Sequence, residues 1–152
     1  MIDGWTASIR AIVEGTPEDA IIRNDIIDRP PLPGWGQGCV TLLGDAAHAT
    51  TPNLGQGACQ AIEDAVVLAV CLRKESTVEA ALREYESLRI PRTSGIVRDS
   101  WRSGRILQLD QPTLEAARNW FMGSRMGTRM STQMFRQLLT YWVPSLREAA
   151  TH

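Results

Sequence analysis

A chain of 152 residues in which 16 Lys and Arg face 17 Asp and Glu has a net charge of −1, so no field of one sign points to nucleic acid or an anionic membrane as its partner. The length suits one ordinary domain that can bury a core without metals or disulfides. The 3 cysteines, Cys39, Cys59 and Cys71, are odd in number, lack the close pairing of a zinc site and follow no secretory leader, which predicts a soluble chain in a reduced, cytoplasmic setting.

Taken in chain order, Trp5, Ile9, Ile12 and Val13 fall at helical spacing until Gly15, Thr16 and Pro17 stop the pattern. The β-branched run Ile21 to Ile27 predicts a short strand. Arg29 to Gly38, with Pro30, Pro31, Pro33, Gly34, Gly36 and Gly38, predicts a loop. Cys39 to Leu43 is a continuous apolar run ended by Gly44 and Asp45, the pattern of a strand buried on both faces. A second loop is expected from Ala46 to Leu54.

From Gly55 the pattern turns helical. Ala58, Ile62, Ala65, Val66 and Ala69 form one stripe, which Leu68 and Leu72 widen, so this helix is expected to be buried. Its apolar stretch, Ala65 to Leu72, is too short to span a bilayer. Thr77 with Ala80 opens another helix lined by Ala81, Leu82, Tyr85 and Leu88, which Pro91 is expected to kink or divide. Ile96, Val97 and Trp101 continue the pattern to about Leu107, before Asp110, Gln111 and Pro112 break it. Leu114 to Met122 and Thr128 to Tyr141 predict two more helices, separated by Gly123 and Gly127. Trp101, Trp120, Trp142 and Met122, Met126, Met130 and Met134 are read as helix-packing core rather than a ligand pocket.

The chemistry is concentrated in Gly44-Asp45-Ala46-Ala47-His48 and Pro52-Asn53-Leu54-Gly55-Gln56-Gly57-Ala58. Asp45 sits where an apolar run ends, the position at which open α/β sheets present groups to a ligand. Its carboxylate can accept hydrogen bonds from sugar-like hydroxyls. Gly55 and Gly57 bracket a helix start, whose unpaired N–H groups and positive dipole end suit an electron-rich ring edge or a developing anion. Taken singly, each piece is ordinary. Gly-Asp after an apolar run is usually a turn or cap, Gly-x-Gly before a helix is common, and a lone histidine such as His48 more often serves structure than catalysis.

The ordered combination resembles the second FAD-binding motif of the class A flavoprotein monooxygenases, the para-hydroxybenzoate hydroxylase-like family. In that family a strand, Gly-Asp-Ala-Ala-His, a proline, Gly-Gln-Gly and Glu-Asp-Ala recur in this order. Here they are Val40 to Leu43, Gly44 to His48, Pro52, Leu54 to Ala58, and Glu63-Asp64-Ala65. Asp28-Arg29-Pro30 with Trp35 and Gly38 is similar to the family's lead-in loop. Ala81-Leu82, Tyr85-Glu86 and Arg89 are similar to its following helix. Ser100, Gly104 and Gln108 are similar to the linker of the salicylate hydroxylase and zeaxanthin epoxidase-like branch.

The resemblance implies FAD as cofactor, with Asp45 on the ribityl hydroxyls and Gly44 against the cofactor chain. It puts Pro52 beside the isoalloxazine, with Leu54, Gly55, Gln56, Gly57 and Ala58 giving the amide-rich helix start at the flavin pyrimidine edge. It assigns no catalytic residue and no metal. Glu63 and Asp64 are expected to pair with nearby arginines, since buried carboxylates need partners, and Arg89 and Arg92 receive no role.

The implied reaction uses NADH or NADPH and oxygen to hydroxylate or epoxidise an aromatic or isoprenoid substrate. The implied fold is mainly α with a short β element, the carboxy-terminal portion of the family's α/β FAD-binding fold. Residues 1–109 would be a partial FAD-binding domain and 110–152 a helical tail.

The family's Gly-x-Gly-x-x-Gly turn, which holds the FAD pyrophosphate, has no counterpart here. Gly34-Trp35-Gly36-Gln37-Gly38-Cys39 has the wrong spacing. The expectation is therefore a flavin-proximal part, inactive alone, that is a truncated gene product, pairs with a separate amino-terminal half, or hides its strand edge by self-association. The alternative is a non-catalytic helical module that keeps the motif as packing and dimerises through its apolar helices.

Overall fold

The computed structural model describes residues 4–140. Helix α1 (Ala7–Gly15) ends where the N–H of Thr16 returns to the Val13 carbonyl. Its apolar side stays open, with Ile9, Ile12 and Val13 exposed. A 3₁₀ turn over Glu18–Ala20 follows.

The two expected strands do not form. Among the described residues the β pairing is the isolated antiparallel bridge between Gln37 and Val40. Ile21 to Ile27 runs unpaired, with Ile22 82% and Ile27 80% exposed. A β-branched run gains its ladder bonds only from a neighbouring strand, and none lies beside it among the described residues.

Residues 35–42 close instead as a tight hairpin around Gly38-Cys39. Gln37 and Val40 exchange N–H···O bonds of 3.0 and 3.1 Å, and the Leu42 N–H donates to the Trp35 carbonyl at 3.2 Å. The proline- and glycine-rich stretch is therefore more than a loop. Its Trp35 is buried and packs at tilted angles on His48 and Tyr85, with ring centroids 5.5 and 5.6 Å apart. An indole offers enough apolar area to anchor a segment that has no regular structure of its own.

The second expected loop contains two helical turns, α2 (Asp45–His48) and a 3₁₀ turn at Pro52–Leu54. Helix α3 (Gly57–Lys74) leads to α4 (Val78–Leu107), where the Thr77 hydroxyl accepts the Ala80 N–H at 3.2 Å as the capping pattern requires. Pro91 lies inside α4 without dividing it. Proline removes one helical hydrogen bond, and the burial of Arg89, Thr93 and Ser94 around it holds the rod together.

The buried stripe of α3 is not the one its apolar residues predict. Gln60, Asp64, Val67 and Cys71 face inward. Ala58, Ala65 and Ala69 are exposed, with Ile62 at 66%, Val66 at 38% and Leu72 at 46%. The core of Trp35, Ala47, Val67, Cys71, Ala81 and Tyr85 joins the hairpin, α2, α3 and α4.

Helices α5 (Pro112–Gly123) and α6 (Arg125–Leu139) meet at Ser124, whose hydroxyl accepts the Gly127 N–H at 3.1 Å. Gly127 thus lies inside α6 and does not separate the two helices. The tryptophans and methionines expected as core are largely open, with Trp101 at 49%, Trp120 at 78% and Met130 at 58%. The described part of this hairpin buries little beyond Gly127. Tyr141, Trp142 and Pro144 lie outside the described residues.

Candidate functional site

The residues singled out from the sequence converge where α2 crosses the start of α3. Gly44 precedes α2 with φ 60° and ψ −140°, a conformation that L side chains rarely adopt. A Cβ there would also touch the Ala61 side chain of α3 at 3.4 Å. The close crossing places Asp45, the exposed first residue of α2, over the tip of α3. An ideal Cβ on Gly57 would lie 4.0 Å from Asp45 Oδ1 and 3.7 Å from the Thr50 methyl.

Gly57 opens α3, Gln56 at its N-cap makes no side-chain capping bond, and no acidic residue occupies the first turn. The first N–H groups of a helix have no intrahelical partners. This tip therefore carries donors and a positive dipole end beside a carboxylate. Ala58 and Gly55 are exposed, Leu54 and Gln56 are buried, and Pro52 is exposed on its 3₁₀ turn.

Beneath the turn lies an ion network with a buried centre. Asp64 and Arg89 are both 0% exposed. Asp64 Oδ2 accepts the Gly44 N–H at 3.0 Å and lies 2.6 Å from His48 Nε2, while Oδ1 accepts Arg89 Nε at 2.7 Å. Arg89 also donates to Glu63 Oε2 at 2.6 Å and to Gln60 Oε1 at 2.8 Å.

Burial alone would raise the Asp64 pKa, but the hydrogen bonds from His48, Arg89 and the Gly44 amide outweigh it and hold the carboxyl below its ordinary 3.8. An ionised carboxylate only accepts, so His48 donates through Nε2. Glu63 and Asp64 do pair with arginines, Arg92 also reaching Glu63 at 3.4 Å. His48 is a strut of this network. The residue that sequence reasoning missed is Gln60; its place four residues before Asp64 on one helical face was the available signal.

A second polar cluster ties the Pro52 turn to α4. Ser100 Oγ donates to the Thr51 carbonyl at 2.7 Å, and Asn53 Nδ2 donates to the Ser100 carbonyl at 3.2 Å. The turn and helix approach so closely that a Cβ on Gly104 would sit 2.4 Å from Asn53 Nδ2. A side chain there would push the Asn53 amide out of its bond to the Ser100 carbonyl. Asp45 and Pro52 are thus each fastened from behind by side chains of α3 or α4.

The FAD binding domain family matches residues 32–100, which include the hairpin, both turns and the network. Aurachin C monooxygenase/isomerase of Stigmatella aurantiaca is 53% identical over 105 residues, 69% of this chain and 27% of that protein. This chain is a relative of the class A flavin monooxygenases.

Chloroplastic zeaxanthin epoxidase of Oryza sativa subsp. japonica is 48% identical over 106 residues, covering 63% of this chain and 16% of that protein. The crystal structure of Klebsiella pneumoniae HpxO complexed with FAD and uric acid superposes with a TM-score of 0.78 at 34% identity, over 90% of this chain and 35% of that one. The mainly helical chain therefore matches a portion of the flavin monooxygenase fold, and it spans well under half the length of these relatives. All are oxygenases or FAD-bound proteins, so a non-catalytic module finds no support among them. No described helix is long and apolar enough to cross a membrane.

Proposed function

We propose that this chain carries the flavin-proximal part of the FAD site of a class A monooxygenase. The observation that carries the reading is the placement of the Asp45 carboxylate beside the uncapped, side-chain-free tip of α3. FAD fits such a cradle, because its ribityl hydroxyls need an acceptor and its ring edge needs donors. When bound, it supplies the redox chemistry by which NADH or NADPH and oxygen hydroxylate or epoxidise an aromatic or isoprenoid substrate.

In this reading Asp45 accepts from the ribityl hydroxyls, and Gly44 lets the cofactor chain pass close to the backbone. Pro52 and Leu54 border the ring. Gly55, Gln56, Gly57 and Ala58 turn their backbone N–H groups to its pyrimidine edge, where the α3 dipole favours negative charge. None of these side chains moves a proton; the chain binds, orients and polarises. The pyrophosphate contacts would come from outside these residues, so turnover requires the rest of the fold, and residues 110–152 serve as a helical tail to residues 1–109. Three free cysteines agree with a reducing, cytoplasmic setting.

Flavin titration tests the reading. FAD fluorescence should be quenched saturably by the chain, and Asp45→Ala should weaken that binding by about tenfold, the loss of a charge-assisted hydrogen bond of about 1.4 kcal/mol. Because Asp45 is exposed, the variant should fold normally. Quenching that is absent, or identical in the variant, would sink the proposal.

A further inference from the structure

Helix α2 is too short to hold its own shape. Its 4 residues, Asp45–His48, are closed by bonds of 2.9 Å from the Ala47 and His48 N–H groups to the Gly44 carbonyl. A helix of about one turn gains too few such bonds to form alone. Asp45 opens this turn as an exposed residue. Among the described residues its carboxylate makes no hydrogen bond, so the direction in which it points is set by the backbone of α2.

One atom of α3 fastens both ends of that backbone. Oδ2 of Asp64 accepts the Gly44 N–H, just before Asp45, at 3.0 Å, and accepts from Nε2 of His48, the last residue of the turn, at 2.6 Å. Asp64 is itself held, because its Oδ1 accepts Nε of Arg89 at 2.7 Å. The other guanidinium nitrogens of Arg89 reach Glu63 at 2.6 Å and Gln60 at 2.8 Å, so Arg89 stays anchored to α3 by further bonds. The pairing of α3 with α4 uses Oδ1, whereas Oδ2 is directed wholly to α2. A buried carboxylate whose acceptor sites are taken by three fixed donors has few other arrangements.

We infer that Asp64 is a positioning residue of the flavin cradle, gripping α2 at both ends so that Asp45 is aimed before a ribityl chain arrives. The inference rests on the flavin reading given above and adds the element that preorganises its acceptor. An acceptor already in place spares the ligand the cost of ordering the turn. Asp64 and His48 need touch no cofactor atom for this, since they act through the backbone between residues 44 and 48.

Riboflavin carries the ring and the ribityl chain, lumiflavin the ring without that chain. Quenching of their fluorescence by the full chain therefore reads the two parts separately. Asp64→Asn keeps the size and one oxygen. That oxygen should stay on the charged Arg89, which turns an amide N–H toward the Gly44 N–H and His48, where donor meets donor. Affinity for riboflavin should fall about tenfold, as for the loss of one charge-assisted bond, with lumiflavin affinity unchanged. Added to Asp45→Ala, Asp64→Asn should cause no further loss, because an acceptor that is gone cannot be misaimed. His48→Ala should act in the same direction, and His48→Gln, whose amide replaces the Nε2 donor, should recover the affinity.

Circular dichroism establishes which variants are folded, and if Asp64→Asn is not, the His48 pair decides. Wild-type riboflavin affinity in the folded variants overturns the inference. So does an equal loss for lumiflavin, or a loss that adds in full to that of Asp45→Ala. If Asp45→Ala itself binds riboflavin as the wild type does, the flavin reading falls. If it binds weakly while Asp64→Asn and His48→Ala bind normally, the positioning role falls and the flavin reading stands.

Discussion

Helix α3 presents two faces that reverse the usual expectation. The inner one carries Gln60 and Asp64 as well as Val67 and Cys71, whereas the outer one shows Ile62, Val66 and Leu72 to solvent. Apolarity alone does not decide which side of a helix is buried. A polar side can go inside when every donor and acceptor on it is matched, and Arg89 matches Asp64, Glu63 and Gln60 together. The outer face is the surface that the remainder of a flavin monooxygenase fold would cover in the proposed reading.

The contrast can be broken by substitution, beginning with the ion network. Asp64→Ala leaves the buried Arg89 with Glu63 as its remaining carboxylate and deprives His48 and the Gly44 N–H of their acceptor, and should cost roughly 3–5 kcal/mol, measured by urea unfolding; a loss below 1 kcal/mol would mean that the network does not organise the inner face. Val67→Ala removes two methyl groups from a site with 0% exposure and should cost about 2 kcal/mol.

Acid provides the next lever. The folded state holds Asp64 below its ordinary 3.8, so the unfolded chain takes up the proton first. The stability Asp64 contributes is full above that pH and is lost as pH falls through the lower folded value, with a slope of at most about 1.4 kcal/mol per pH unit. Unfolding midpoints between pH 5 and 2 should show this limb, and Asp64→Asn should flatten it. The smallest effect belongs to the outer face. Ile62→Ala should change the stability of the isolated chain by less than about 0.5 kcal/mol, and a loss comparable to that of Val67→Ala would show that this face is packed after all.

Much of the molecule was legible from its residues, for identifiable reasons. Helix boundaries carried local signals: Thr77 caps α4, Gly15 closes α1, and Pro112 starts α5. The motif around Asp45 and Gly57 was legible because its glycines and carboxylate must occur in a fixed order, and the structure brings them to one crossing. The strands were misread because β pairing depends on neighbours that a linear pattern cannot supply. Trp35 was hidden in a proline-rich stretch that suggested only a loop. The wrong face of α3 was chosen because periodicity weighs side chains by type, whereas Asp64 gains its place from Arg89, which lies 25 residues away.

One consequence follows from the length of α4. Arg89, which grips the floor of the Asp45 turn, and Ser100, which grips the Pro52 turn, stand on the same unbroken rod. Their separation is close to three helical turns of 3.6 residues, so both point the same way. Removing or adding a single residue between them would swing one relative to the other by about 100° and release one of the two turns. The count of residues along this rod is therefore as much a part of the cradle as the side chains themselves, and insertions between positions 89 and 100 should be tolerated far less than in the exposed segment before Trp35.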